Sequence, residues 1–160
     1  MLKAQIIPVT SFSQNCSIIW CDETMKGALV DPGGDAEKIL AHVEKLGIKL
    51  EKILLTHGHL DHAGGAADIK EKLGLPIIGP QKEDKFWLDQ IEEHAANYGM
   101  AGLRCCTPDT WLEGGEEISV GNQILTVLHT PGHTPGHVVL YNEENKVAFV
   151  GDVLFKGSIG

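Results

Sequence analysis

The stretch THGHLDH, residues 56–62, places three histidines and one aspartate within seven residues. Imidazole and carboxylate are the side chains that hold zinc, iron or manganese, and this density of them points to a metal site rather than a solvated loop. His57 and His59 stand two apart, so extended backbone directs both rings to one side, where they can hold the same ion. Asp61 and His62 follow a turn and can face a neighbouring ion. The apolar run KILLT (52–56) leads directly into the cluster. A strand that ends in a ligand-bearing loop fixes the side chains while leaving room for a substrate.

One cluster does not complete a coordination shell, and two further segments supply candidates. LHTPGHTPGH (128–137) carries His129, His133 and His137 in a Gly/Pro-rich loop, and VAFVGD (147–152) delivers Asp152 at the end of an apolar strand. A carboxylate emerging from a buried strand is costly unless it is paired or bound to metal. His133 and Asp152 are therefore expected in the site. His129 and His137 are expected to orient ligands from behind. Asp31, ending GALVD, is read equally as a residue behind the ligands or as a turn. His42 and His94 lie in helical stretches without ligand partners and read as surface or packing residues.

Composition narrows the rest. With 160 residues, 42% of them hydrophobic, the chain suits a single domain over 1–160 with a real core. The formal charge of −9 argues against nucleic acid or an anionic membrane surface as a partner. No apolar run approaches the ~20 residues of a membrane span. The opening MLKAQIIPVTSF does not have the form of a signal peptide. Cys16, Cys21, Cys105 and Cys106 show no CxxC spacing, so neither a structural zinc site nor a disulfide framework is expected, and a cytoplasmic setting is.

Strands are expected at 2–9 (an edge strand, given Pro8), 16–20, 27–31, 52–56 and 75–79. Helices are expected at 36–46, capped by Asp35 and closed by Gly47, then at 63–74 and 82–98. Four more strands follow at about 117–120, 123–129, 137–141 and 146–151. The order predicts an α/β chain of the α+β type, with helices on one face of a first sheet and then a second sheet bare on its outer face.

THGHLDH, HTPGH and GD after an apolar strand, in that order and together with LVDPGGD, resemble the metallo-β-lactamase fold family. Within it the resemblance is nearest to glyoxalase II (hydroxyacylglutathione hydrolase) and its short bacterial relatives lacking the C-terminal helical domain. The likeness covers essentially the whole chain. It implies an αββα sandwich of two mixed sheets, with the second half lacking its covering helices here. It also implies that His57, His59 and His133 bind one divalent ion, that Asp61 and His62 bind a second, and that Asp152 bridges them. Zinc is the expected metal, with iron or manganese as alternatives. The family carries a further ligating histidine after the bridging aspartate. This sequence has none after His137 and ends eight residues past Asp152 (152 to 160), so an incomplete domain and a weaker second site are expected.

By the same resemblance the substrate is a small-molecule thioester, such as the glutathione conjugate S-lactoylglutathione, hydrolysed by a metal-bound hydroxide that Asp61 orients. Two other readings share the residues. A mononuclear iron persulfide dioxygenase would use His57, His133 and Asp152 as a facial triad, and a non-catalytic module would keep the site without the chemistry.

Overall fold

Side chains alternate across extended backbone, and that alternation sorts the first sheet into two cores. The computed structural model describes residues 1–152 and the backbone of residues 154–155 and 158–159. Strands β1 (Leu2–Val9), β2 (Gln14–Cys21), β3 (Lys26–Val30), β4 (Lys49–Leu54) and β5 (Ile77–Ile78) form one sheet in sequence order. β1, β2 and β3 pair antiparallel, while β3, β4 and β5 pair parallel. Ile18, Leu29, Ile53 and Leu55 face a core shared with the helices. Their neighbours Ile19, Ala28, Val30 and Leu54 face the opposite way, into a core shared with the second sheet.

Five helices cover the first of these faces: α1 (Ala36–Leu46), α2 (Leu60–Ala63), α3 (Ala66–Leu73), α4 (Lys85–Asp89) and α5 (Ile91–Asn97). Ile39 and Val43 of α1, Ile69 of α3, Leu88 of α4 and Ile91 of α5 fill it. On the other face lies the second sheet, β6 (Glu117–Val120), β7 (Gln123–His129), β8 (Val138–Asn142) and β9 (Val147–Phe149), in sequence order. Val120, Leu125, Val127, Val138 and Leu140 point inward from it. Its far side leaves Ile124 and Leu128 exposed. A two-stranded hairpin, β10 (Leu154–Phe155) and β11 (Ser158–Ile159), follows.

The expected two-sheet architecture stands, with four differences of detail. The second sheet is antiparallel throughout rather than mixed, because each of its strands returns directly beside the one before it. The helix expected over 82–98 is a 3₁₀ turn at Lys82–Asp84 followed by α4 and α5, interrupted at Gln90. The helix expected over 63–74 begins only at Ala66, as α3, and is set off from the preceding turn α2 by Gly64–Gly65. The chain crosses the 32–34 loop at Gly64–Gly65, where a Cβ on Gly64 would stand 2.8 Å from the Gly33 carbonyl oxygen. Asp35 does occupy the residue before α1, yet its side chain makes no cap. Its backbone is left-handed and its carboxylate instead accepts the Thr10 N–H at 2.9 Å.

Candidate metal centre

Parallel pairing of β3 with β4 brings the ends of both strands to the same edge of the sheet, and Asp31 N donates to the Leu54 carbonyl at 2.9 Å. The chain after β4 therefore enters the cluster beside Asp31. His59 keeps extended backbone (φ −65°, ψ 149°) just before α2, whose single turn carries Asp61 and His62. The loop from β7 to β8 contributes His133, and the residues after β9 contribute Asp152.

One donor atom from each of His57, His59, His133 and Asp152 lies within 4.8 Å of all the others, and Asp31, His57 and His62 form a second such group. Asp152 Oδ2 stands 3.1 Å from His133 Nε2, 3.2 Å from His62 Nε2 and 3.4 Å from His57 Nε2. His59 Nδ1 lies 3.1 Å from His133 Nε2, and His62 Nε2 lies 3.8 Å from Asp61 Oδ2. Nitrogen and oxygen ligands about 2.0–2.1 Å from zinc stand about 3.3 Å apart at tetrahedral angles, so these separations fit a shared ion. His57 Nε2 is buried and makes no hydrogen bond among the described residues. A buried imidazole nitrogen left unpaired is costly, unless it serves as a ligand.

A hydrogen-bond chain sets the tautomers. Asp31 is buried and accepts from Thr56 N at 2.8 Å, Thr56 Oγ1 at 2.6 Å and His62 Nδ1 at 2.9 Å. With its proton given to Asp31, the Thr56 hydroxyl is free to accept from His57 Nδ1 at 3.0 Å. Both rings then carry hydrogen on Nδ1 and present Nε2 to the site. Asp31 is thus more than a turn residue. His137 stacks on His57 (centroids 4.6 Å apart, planes 16°), and its Nε2 accepts the backbone N–H of Asp152 at 3.1 Å.

His129 does not reach the cluster. It is exposed, and its Nε2 donates to the Pro135 carbonyl at 3.0 Å, bracing the His133 loop from outside. That corrects the expectation that it orients a ligand directly. His42 remains on the surface of α1, with Nδ1 2.9 Å from the Lys38 carbonyl oxygen. His94 is nearer the site than expected, since it packs on Trp87 at 5.7 Å, and Trp87 in turn stands edge-on to His59 at 4.7 Å.

Burial pushes His57 down to about 3, and burial with the neighbouring His133 pushes His59 down to about 4. Both are neutral donors at physiological pH. Burial would lower His62 as well, but the Asp152 and Asp31 carboxylates outweigh it and raise this residue to about 10. Burial would raise Asp152, yet the His57 and His62 imidazoles beside its Oδ2 hold it well below the usual carboxylate range. Asp61 is raised, chiefly by burial. A cleft of about 690 Å³, lined in part by Phe12, Gln14, Asp61, His62 and Asp152, opens onto the cluster. That is room for a small-molecule ligand.

Two residues beside the candidate ligands carry no mark in the sequence. Trp87 forms a wall against His59, and Asp84 is buried between the two histidine loops.

The sequence pattern of the metallo-beta-lactamase superfamily matches residues 9–160. The chain belongs to this superfamily. It is 45% identical over 160 residues to hydroxyacylglutathione hydrolase GloC of Haemophilus influenzae, covering 99% of this chain and 75% of that protein. The crystal structure of TTHA1623 in a di-iron-bound form superposes with a TM-score of 0.87 at 35% identity, covering 98% of this chain and 75% of that one. The BLEG-1 B3 metallo-beta-lactamase superposes with a TM-score of 0.86 at 31% identity, covering 100% and 76%. Superfamily membership, hydrolase relatives and the donor cluster together make the chain a metal-dependent hydrolase. Among the described residues no helix is long and apolar enough to cross a membrane, and all four cysteines are free.

Proposed function

We propose that the chain hydrolyses a glutathione thioester such as S-lactoylglutathione, using two divalent ions, most readily zinc, held by His57, His59 and His133 on one side and Asp61 and His62 on the other. The observation that carries this reading is Asp152 Oδ2, which lies within 3.4 Å of nitrogens from both groups, His133 and His57 on one side and His62 on the other. One carboxylate oxygen placed among nitrogens of both groups suits a site that would hold two ions better than one that would hold a single ion. The name of the Haemophilus influenzae relative supports the substrate class. The free cysteines are in keeping with a reducing, cytoplasmic setting.

When bound, such ions acidify a water from pKa 15.7 toward ~7 and polarise a carbonyl oxygen. The chain's own groups do the rest. The acidified water gives its proton to solvent, and its oxygen, oriented by the Asp61 carboxylate, adds to the thioester carbonyl carbon. The C–S bond then breaks and its electron pair leaves with sulfur. An ordinary thiol has a pKa of about 8.5, so its thiolate departs without a dedicated acid. Asp31 and Thr56 keep His57 and His62 in the ligating tautomer throughout, and His137 holds the Asp152 backbone.

The experiment is hydrolysis of S-lactoylglutathione by zinc-loaded wild type and Asp61→Asn. Turnover falling at least 10²-fold, with KM changed less than threefold, is expected of a group that orients the attacking water. Equal turnover in the two proteins overturns the role of Asp61, and no hydrolysis by the zinc-loaded wild type overturns the substrate.

A further inference from the structure

The 3₁₀ turn at Lys82–Asp84 sits between the two loops that carry the histidines, and its last residue binds both. Asp84 is fully buried. Its Oδ2 accepts the Gly58 N–H at 2.9 Å and the Thr134 hydroxyl at 2.7 Å, while Oδ1 accepts the Gly136 N–H at 2.7 Å. Gly58 is the residue between His57 and His59, Thr134 directly follows His133, and Gly136 directly precedes His137. One carboxylate therefore ties together the backbones of four site histidines. Gln81 N completes the grip by donating to the Gly136 carbonyl at 3.0 Å.

The two glycines make this approach possible. A Cβ on Gly58 would lie 2.9 Å from the Asp84 carbonyl oxygen, and one on Gly136 would lie 2.7 Å from Asp84 N and 2.8 Å from its Cβ. Among the described residues no cation stands within salt-bridge distance of Asp84. A buried carboxylate with only neutral donors is tolerated where its hydrogen bonds are short and charge-assisted, as all three are here. Breaking one strands a buried anion and a buried donor together.

We propose that Asp84 is a positioning residue that clasps the two histidine loops, fixing the 3.1 Å approach of His59 Nδ1 to His133 Nε2 and so setting the affinity of the His57/His59/His133 group for a divalent ion. This rests on the metal reading of the cluster. Asn in place of Asp84 loses the charge and turns an NH₂ toward at least one of the three donors. Val in place of Thr134 removes one donor while keeping the side-chain shape.

The test is zinc titration of the metal-free full chain, with cobalt spectra as a readout of ligand geometry. The set is wild type, Asp84→Asn, Thr134→Val and, as a destabilised control, Ile39→Ala in the α1 core. Asp84→Asn is expected to weaken zinc binding 10–100-fold, the range for groups that orient metal ligands, and to alter the cobalt spectrum. Thr134→Val is expected to weaken zinc binding several-fold and to serve alone if Asp84→Asn does not fold. Ile39→Ala is expected to lower the melting temperature while zinc affinity stays within twofold of wild type. Zinc affinity within twofold of wild type in folded Asp84→Asn, or in Thr134→Val where Asp84→Asn does not fold, overturns the clasp alone. A weakening in Ile39→Ala equal to theirs overturns it too, as a general effect of stability. Failure of the wild type to take up zinc overturns the metal reading and the clasp together.

Discussion

Asp31 Oδ2 lies 2.9 Å from His62 Nδ1, both residues being buried. The same carboxylate holds the Thr56 N–H and hydroxyl, so it governs which nitrogen of His62, and through Thr56 which nitrogen of His57, is free to ligate. Asp31→Asn replaces an acceptor-only group by an amide that can present NH₂ to His62. Zinc retained after dialysis against a weak chelator should fall 10–100-fold in apparent affinity for the His62 group. Retention equal to wild type would remove Asp31 from this role.

Gly33 makes a sharper steric prediction. A Cβ there would stand 1.6 Å from the Asp61 carbonyl oxygen, which no rotamer relieves. Gly33→Ala should cost at least ~1–3 kcal/mol in urea unfolding, the usual range for overpacking, and should displace Asp61 enough to impair hydrolysis. Gly132→Ala, whose Cβ would meet nothing within 4 Å, should stay within ~0.5 kcal/mol of wild type. Similar costs at the two sites would contradict the described packing.

His137 joins two contacts that a substitution can separate. His137→Phe keeps an aromatic ring against His57 but leaves the Asp152 N–H without the acceptor it has at 3.1 Å. An unpaired donor costs ~1–3 kcal/mol, felt here where Asp152 enters the site. Turnover should drop by ~10-fold or more while the melting temperature of the metal-free protein changes by only a few degrees. Unchanged turnover would show that stacking alone suffices.

The far end of the helical layer offers a pH test away from the metal centre. Asp109 accepts from Lys70 Nζ and from the Ile77 N–H at 2.8 Å, and these bonds lower its carboxyl below the ordinary 3.8. A carboxyl lowered on folding stabilises the protein above its unfolded pKa and loses that contribution as pH falls through the folded value. The pair is partly exposed, so the effect is small, within ~0.2–1 kcal/mol. Asp109→Asn should therefore melt slightly below wild type at neutral pH, with the gap closing once the pH drops below the folded value. A gap that widens on acidification would contradict the assignment.

The sequence announces the candidate ligands more clearly than it does their supports. His57, His59, Asp61 and His62 are legible because imidazole and carboxylate crowd one short stretch. The two cores are legible because apolar residues fill both faces of a strand, as at Ile18 and Ile19. Asp84 and Trp87 are not, since their partners lie in other loops and nothing local distinguishes them from the surface of a helix. The interruption at Gln90 escapes for a related reason. Apolar spacing continues through Leu88, Ile91 and Ala95, while the turn that precedes it is drawn inward by bonds to Gly58 and Gly136. Asp35 has the side chain of a helix cap, but Thr10, distant in sequence, claims it.

The most direct measurement is zinc titration into metal-free protein, with bound zinc per chain and S-lactoylglutathione hydrolysis followed on the same samples, for wild type and His133→Ala. The prediction is hydrolysis that is absent without metal, rises with bound zinc in the wild type, and is lost together with tight zinc binding in His133→Ala. Hydrolysis that persists in the metal-free protein, or zinc bound as tightly by His133→Ala as by wild type, would contradict a metal-dependent thioester hydrolase built on this cluster.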